Sequence, residues 1–282
     1  MSNPALCFGN YVDFFDPDDK APPGITATTE ATNYPVENIS NWRIQGEDRW
    51  KASSKDYQII EIDFGVGIEP QPDTYILAGH NTSAGSANTV HGVYWSDNPA
   101  GGYTNVAAAQ APPTDAPYMK TFTVGAGHRY WALDFQVADA NVEVGQWFLG
   151  KRLDFPVGLQ PGIDYFSGAP AFYNDSPISG SPIGRAVSHI NKSIRLDWDS
   201  PGFDANLELG GDQFYDYANT PDYDVEFLRH LADGTPFWFS PDNDNQPEHL
   251  YMGYADGFST PFDGSLKRRT FSGTMTAFSE VF

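Results

Sequence analysis

The sequence predicts an all-β protein: an N-terminal β-sandwich followed by a second β-rich domain with one helix. Three observations predict this. Eight or so short runs of bulky apolar residues lie between Asn33 and Asp154, each bounded by turn residues. One of them, Gln58 to Phe64, alternates with period two, so Ile60, Ile62 and Phe64 share one face and Ile59, Glu61 and Asp63 the other. The 27 glycines and 22 prolines imply many turns and few long helices.

The elements follow in order. Residues 1–32 read as an irregular N-terminal arm, because Asp16-Pro17-Asp18-Asp19 and Pro22-Pro23-Gly24 break any periodicity. A strand frame then spans 33–155. It opens with Asn33-Tyr34-Pro35-Val36-Glu37-Asn38-Ile39 and Arg49-Trp50-Lys51-Ala52, and continues with Gln58–Phe64 and Tyr75-Ile76-Leu77-Ala78, which Gly79 stops. Val90 to Trp95 is the next strand, and Ala100 to Ala116 reads as a loop rich in Ala, Gly and Pro. Lys120 to Val124 pairs with Arg129 to Val137 across Gly125-Ala126-Gly127, and Val142 to Leu149 closes the frame. Residues 156–282 form the second β-rich domain. Residues 157–184 are turn-rich, Ser188 to Trp198 alternates, and Asp222 to Leu231 carries apolar residues at helical spacing behind acidic ones, with Asp233-Gly234 as the stop. Pro236-Phe237-Trp238-Phe239 reads as a buried strand, and Tyr251 to Tyr254 and Lys267 to Phe278 supply the last ones.

Composition excludes several classes. Aromatics make up 15% and charged residues 19%, enough apolar matter for a core. The net charge of −21 is spread evenly: residues 1–150 carry 7 basic and 18 acidic side chains, and the remainder 9 and 19. Neither half offers a basic platform for nucleic acid or for an anionic membrane surface. The single cysteine, Cys7, rules out an intrachain disulfide and suits synthesis in a reducing cytoplasm. Met1-Ser2-Asn3-Pro4-Ala5 shows no charged n-region and no long apolar run, so neither a signal peptide nor membrane insertion is expected.

Catalytic signatures are missing. The six histidines sit at no metal-ligand spacing, and there is no HExxH, no cysteine pair and no GxSxG. With 37 carboxylates, spacing singles out no glycosidase pair, and no catalytic residue or cofactor is expected. Asp242 and Asp244, in Asp242-Asn243-Asp244-Asn245 with Glu248 beyond, are the one metal candidate, a calcium loop lacking its central glycine; the competing reading is a polar turn. Gly79-His80-Asn81-Thr82 ends a strand and either binds a ligand through His80 or closes a turn through Asn81 and Thr82. Trp42, Trp50, Tyr94, Trp95 and Tyr103 form either a sugar-stacking surface or core. Lys267-Arg268-Arg269, the one basic cluster, suits edge protection.

The order of the motifs Tyr34-Pro35-Val36-Glu37-Asn38-Ile39, Arg49-Trp50-Lys51-Ala52, Ile60-Glu61-Ile62-Asp63-Phe64-Gly65, Tyr94-Trp95-Ser96-Asp97 and Arg129-Tyr130-Trp131-Ala132-Leu133 resembles that of discoidin, or galactose-binding-like, jelly-roll domains. With Ala78-Gly79-His80-Asn81 following, it is similar to the version in tail-tip proteins of long-tailed bacteriophages. Val225-Glu226-Phe227-Leu228, Gly234 to Asp242 and Arg268 to Gly273 resemble the β-rich part of tail-tip and baseplate proteins. The resemblance implies a structural component of the tail tip or baseplate. It would form a ring-forming homo-oligomer, hexamer or trimer, around the tail tube or hub, in a virion assembled in the host cytoplasm. The N-terminal arm and the loop 99–119 are then expected to lace neighbours together. Absence of the disulfide that secreted discoidin domains carry fits this. The alternative is a carbohydrate-binding module contacting host surface glycans, with Trp42, Arg43, Arg49, His80 and Asn81 as the candidate glycan or interface loop; a glycan-degrading enzyme is the third reading. Large assemblies, saturable glycan binding and turnover respectively would mark the three.

Overall fold

The structure, a computed structural model, describes residues 5–13, 24–42, 44, 46–83, 90–98, 101–110, 112, 114–136, 140–154, 167–174, 185–198, 234, 236–241, 250–259, 262–263, 268–269 and 271–277. The chain divides into two compact units. One contains Gly9–Arg152, Gln246–Leu250 and Val281–Phe282; the other contains Met1–Phe8, Leu153–Asn245 and Tyr251–Glu280. Among the described residues the regular structure is strand, apart from two short 3-10 turns at Val36–Ser40 and Gly46–Asp48.

The first eleven strands are β1 (Ala5–Phe8), β2 (Gly24–Ala27), β3 (Trp50–Lys51), β4 (Gln58–Asp63), β5 (Thr74–Ala78), β6 (Val90–Ser96), β7 (Thr104–Gln110), β8 (Tyr118–Thr121), β9 (Tyr130–Gln136), β10 (Glu143–Val144) and β11 (Gln146–Asp154). In the Gly9–Arg152 unit β2 to β11 build an antiparallel β-sandwich. One sheet has the order β2-β4-β9-β6-β7, the other β11-β5-β8, and β3 and β10 form a separate two-stranded ribbon. The alternation of β4 explains how one sheet has two characters. Ile60 and Ile62 are fully buried, whereas Glu61 is exposed and Ile59 and Asp63 are half-buried. The register carries the alternation sideways: Ile60 lies opposite Leu133 and Ile62 opposite Trp131, while Glu61 lies opposite Ala132 and Asp63 opposite Tyr130. The buried set meets Tyr75 and Leu77 of β5 and Trp147 and Leu149 of β11 in one apolar cluster. Stacked sheets of this kind exclude water between them and present alternate residues outward.

The second unit adds β12 (Ser167–Asn174), β13 (Arg185–Trp198), β14 (Phe237–Ser240), β15 (Tyr251–Ser259), β16 (Phe262–Asp263), β17 (Arg268–Arg269) and β18 (Phe271–Ala277). Its main sheet has the order β12-β13-β18-β15-β14-β1, antiparallel throughout. All four residues of β14 are buried, as the aromatic run predicts.

Four expectations need correction. Lys120–Val124 and Arg129–Val137 do not pair with each other: β8 pairs with β5, whereas β9 pairs with β4 and β6 in the other sheet, because the glycine-rich link between them crosses from one sheet to the other instead of closing a hairpin. The stretch read as an irregular arm contributes β1 and β2. β1 is too short for its apolar run to stand out, and β2 is a four-residue strand paired only with β4. Residues 33–39 do not open the frame as a strand. Asn33 has a φ of 69°, Pro35 stays extended, and the Val36–Ser40 turn follows, closed by Asn38 N–H to the Pro35 carbonyl and by the Ser40 hydroxyl to the Glu37 carbonyl. The alanine-rich stretch 100–116 contains β7, paired with β6 through two register shifts, so the loop expected to lace subunits is partly an ordered edge strand. Alanine is a poor strand former in isolation, and only pairing reveals the strand. The helix expected at Asp222–Leu231, the turn at Gly180–Gly184, Arg43 and the calcium candidates Asp242 and Asp244 lie outside the described residues.

Candidate functional site

Two places in the sandwich unit gather polar chemistry. The first is the loop cluster singled out by sequence. Gly79 leaves β5 at a φ of 61°, so close to the chain that a Cβ there would lie 2.3 Å from the Ile44 carbonyl oxygen. That close approach fixes His80 and Asn81. The buried His80 ring has both nitrogens engaged: Nε2–H donates to the Ala116 carbonyl (2.9 Å), and Nδ1 accepts from the Thr82 backbone N–H (3.2 Å) and hydroxyl (3.0 Å). Asn81 donates to the Asn141 carbonyl (2.8 Å) and accepts from the Glu143 N–H (2.9 Å). Glu143 in turn takes Arg49 at 3.3 Å and Lys51 at 2.5 Å across the β3–β10 ribbon. The structure therefore brings Arg49 and Asn81 together around Glu143. Trp42 sits elsewhere, its indole N–H on Asp13 and its ring edge-on to Phe148. His80 and Asn81 spend their hydrogen-bonding capacity inside the fold, which is the turn-closing role the sequence offered as the other reading of Gly79–Thr82, whereas Arg49 stays partly exposed beyond its contact with Glu143.

His80 has a measurable consequence. Burial holds its imidazole below the usual range, against smaller opposing effects of the Ala116 carbonyl and Asp115. A folded value below the unfolded one near 6.5 means that the neutral ring contributes fully above that pH, and that stability is lost as pH falls from it toward the folded value. His80→Gln is expected to destabilise the protein at about pH 7.5 by more than at about pH 5. Urea unfolding of both proteins at the two pH values checks this; a gap independent of pH contradicts it.

The second place is the outward face of the β2-β4-β9-β6-β7 sheet, of which sequence reasoning named only Tyr94 and Tyr103. Asp134 of β9 stands at its centre. Its Oδ2 accepts from the hydroxyls of Tyr57 (2.8 Å) and Tyr94 (3.3 Å), and its Oδ1 from the Gly92 backbone N–H (2.8 Å). A Cβ at Gly92 would come within 3.0 Å of both Asp134 and the Tyr94 ring, so the absent side chain makes room for this arrangement. Next to it, the Tyr103 hydroxyl donates to Glu61 at 2.8 Å. Asp63 holds Arg129 in a two-pronged contact at 2.6 and 2.8 Å, with the guanidinium 4.7 Å from the Tyr130 ring centre. The register explains the grouping: Glu61, Ala132 and Tyr94 form one outward row, and Ile59, Asp134 and Gly92 the next.

Tyr57 is 48% exposed, and Tyr94 and Tyr103 are partly exposed. Partial burial first, then hydrogen bonding to Asp134 and Glu61, raises the Tyr57 and Tyr103 phenols above their ordinary value. They therefore remain neutral donors at physiological pH. The Arg129 hydrogen bond holds Asp63 below the usual carboxylate range. The result is a set of aromatic rings held in place by carboxylates, on a surface open to solvent.

Of the five aromatics proposed as a stacking surface, Trp50 is fully buried and belongs to the core. Trp95 stacks on His128 with ring centres 3.3 Å apart, and His128 is held by Asp97 at 3.0 Å. Tyr94 and Tyr103 do face outward. No group of three or more His, Cys, Asp or Glu side chains arranged to hold a metal occurs among the described residues, and no described helix is long and apolar enough to cross a membrane.

No family model and no curated protein matches the chain. Among solved structures it is similar to the lectin binding domain of Lectinolysin complexed with Lewis b, at 10% identity over 52% of this chain and 98% of that one, with a TM-score of 0.40. It is also similar to the family 32 carbohydrate-binding module of C. perfringens NanJ in complex with galactose, at 15% identity over 46% and 93% with a TM-score of 0.35. A fucose-binding module of Streptococcus pneumoniae aligns at 7% identity over 50% and 97%, with a TM-score of 0.39.

Proposed function

We propose that the Gly9–Arg152 unit is a carbohydrate-binding module that recognises its glycan on the open face of the β2-β4-β9-β6-β7 sheet, without turnover. A sandwich fold alone implies no activity, so the proposal rests on the site. One observation carries it: Tyr57, Tyr94 and Tyr103 present partly exposed rings whose hydroxyls are tied to Asp134 and Glu61. Sugar rings offer C–H faces that stack on aromatic rings and hydroxyls that donate to carboxylates, and this surface supplies both. Because the rings are already held, little side-chain freedom is lost on binding.

The Tyr57→Ala, Tyr94→Ala double variant is expected to bind the cognate glycan at least about tenfold more weakly, given about 1 kcal/mol for each lost aromatic contact. Glycan-array screening of the whole chain identifies the ligand, and calorimetry compares the two proteins. Wild-type affinity in a double variant with an unchanged melting curve would remove the sheet face from the proposal.

A second reading is a ring-forming structural component of a bacteriophage tail tip. Its support is the order of sequence motifs in both halves of the chain, from Tyr34-Pro35-Val36 to Arg268-Arg269-Thr270. The mass of the purified protein, alone and mixed with tail tube protein, separates the readings: a strict monomer that binds glycan and never assembles excludes the ring.

A further inference from the structure

We infer that the glycan taken by this face is a neutral, straight chain of β-linked sugars with equatorial substituents, held by its interior units rather than by an end; the inference rests on the carbohydrate-binding reading above. Its basis is the way the three tyrosine rings lie. Tyr57 stands two residues before Ile59 and Tyr94 two residues after Gly92, and Ile59 and Gly92 both lie opposite Asp134. To bring their hydroxyls to that carboxylate, both phenols run along the sheet instead of rising from it. Gly92 shows this directly: a Cβ there would come within 3.0 Å of the Tyr94 ring and hydroxyl, so the ring lies over bare backbone. Tyr103, next to β7, reaches Glu61 of β4 although β6 and β9 run between those strands. Three strand spacings of about 4.8 Å make about 14 Å, which the two side chains bridge only by stretching toward each other across the sheet. The small Ala132, between Glu61 and Tyr94 in the outward row, leaves room for that. Three rings laid down at different strands make a path longer than one sugar, not a pocket around a chain end. A flat ring stacks best on a sugar whose hydroxyls are all equatorial, because its C–H bonds then point at the ring. A β-1,4 linkage keeps such units in line and offers a C–H face from each. The carboxylates hold the rings rather than select a charge: Asp63 is taken by Arg129 and the Gly65 N–H, Asp134 by Tyr57, Tyr94 and the Gly92 N–H, and Glu61 by Tyr103. The chain's net charge of −21 repels acidic sugars.

Titration calorimetry of the whole chain against a β-1,4-linked glucose hexamer, the corresponding dimer, a β-1,4-linked mannose hexamer, methyl galactoside and methyl fucoside tests the inference. The glucose hexamer is expected to bind, and the dimer to bind at least about tenfold more weakly because it covers fewer rings. A glucose hexamer whose non-reducing end is blocked by a 4-O-methyl group should bind as well as the free one. The axial hydroxyl of each mannose should weaken that hexamer several-fold. Tyr103→Ala should weaken the glucose hexamer about fivefold through the loss of one stacking contact. Raising salt from about 50 to 500 mM should change the affinity by less than about twofold, since the ligand carries no charge to screen. Dimer, galactoside or fucoside binding as tight as the hexamer, or loss of binding on blocking the end, overturns recognition of interior units and leaves the carbohydrate reading standing. Equal affinity for the mannose hexamer overturns the equatorial preference. No hexamer binding, with another glycan captured through the tyrosines, overturns the ligand class alone. Hexamer binding that survives the Tyr57→Ala, Tyr94→Ala variant moves the site off this face and overturns the inference, and no binding of any glycan overturns both readings.

Discussion

Gly79→Ala is expected to lower the melting temperature of the sandwich unit by roughly 8–16 °C, corresponding to a loss of about 4 kcal/mol for a domain of this size. Two costs combine. An alanine at a φ of 61° occupies left-handed backbone, which costs a non-glycine residue about 1–3 kcal/mol. Its Cβ would also stand 2.3 Å from the Ile44 carbonyl oxygen and 3.2 Å from the Gly145 Cα. Both neighbours are backbone, so neither can rotate away. Gly145 is itself pressed against Ile44, where a Cβ would lie 2.6 Å from the same oxygen, and its N–H is shared between the Ala78 and Gly79 carbonyls. Relief at Gly79 therefore has to separate three chain segments. The movement would carry His80 and Asn81 with it and loosen the hydrogen bonds that tie the end of β5 to Ala116, Asn141 and Glu143. Gly125→Ala is the control: a Cβ there meets nothing within 4 Å, and the stability should stay within about 0.5 kcal/mol of wild type. Circular dichroism melts of the three proteins decide the matter; a Gly79→Ala protein melting with the wild type would mean that the close approach to Ile44 does not exist in solution.

Trp131→Ala is expected to cost about 3–5 kcal/mol, the range for deleting a buried tryptophan from a packed core. Trp131 is 0% exposed and lies on the inner face of β9, opposite Ile62 of β4 and Trp95 of β6. Its ring packs near Phe122 and His128, with centres 5.9 and 6.5 Å away, and its indole N–H donates to the His128 carbonyl at 2.9 Å. The alanine variant leaves a cavity between the sheets and an unpaired buried carbonyl, and the two penalties add. Trp131→Phe fills most of the cavity without restoring the hydrogen bond, so it should recover more than half of the loss. Denaturant midpoints for the two variants separate the packing part from the hydrogen-bond part. A Trp131→Ala protein destabilised by less than about 1 kcal/mol would contradict a core position.

Fold class was legible in the sequence, and β4 shows why. The period-two alternation of Gln58 to Phe64 is a property of consecutive residues, and a strand sends consecutive side chains to opposite faces wherever it sits. The same local logic marked β5, β9, β11 and the buried aromatic run of β14. It failed where the cause was not local. The β7 strand is alanine-rich and stands only by pairing with β6; β2 stands only by pairing with β4. At Asn33–Ile39, apolar residues that looked like a strand follow a left-handed asparagine and a proline into a 3-10 turn.

The loop cluster was half legible for the same reason. Gly-His-Asn-Thr after a strand identifies a turn, but only the fold shows that His80 and Asn81 are used up in closing it. Of the sheet face, only Tyr94 and Tyr103 were legible, as members of a candidate stacking surface; their carboxylate partners and Tyr57 were not. Tyr57 meets Asp134 from 77 residues away, Tyr94 meets it from 40, and Tyr103 meets Glu61 from 42. Sequence by itself determined that this chain alternates, turns and buries its apolar side chains as an antiparallel sandwich. Tertiary structure alone decided which tyrosine stands over which carboxylate, because strand order and register are set by long-range pairing that no run of neighbouring residues encodes.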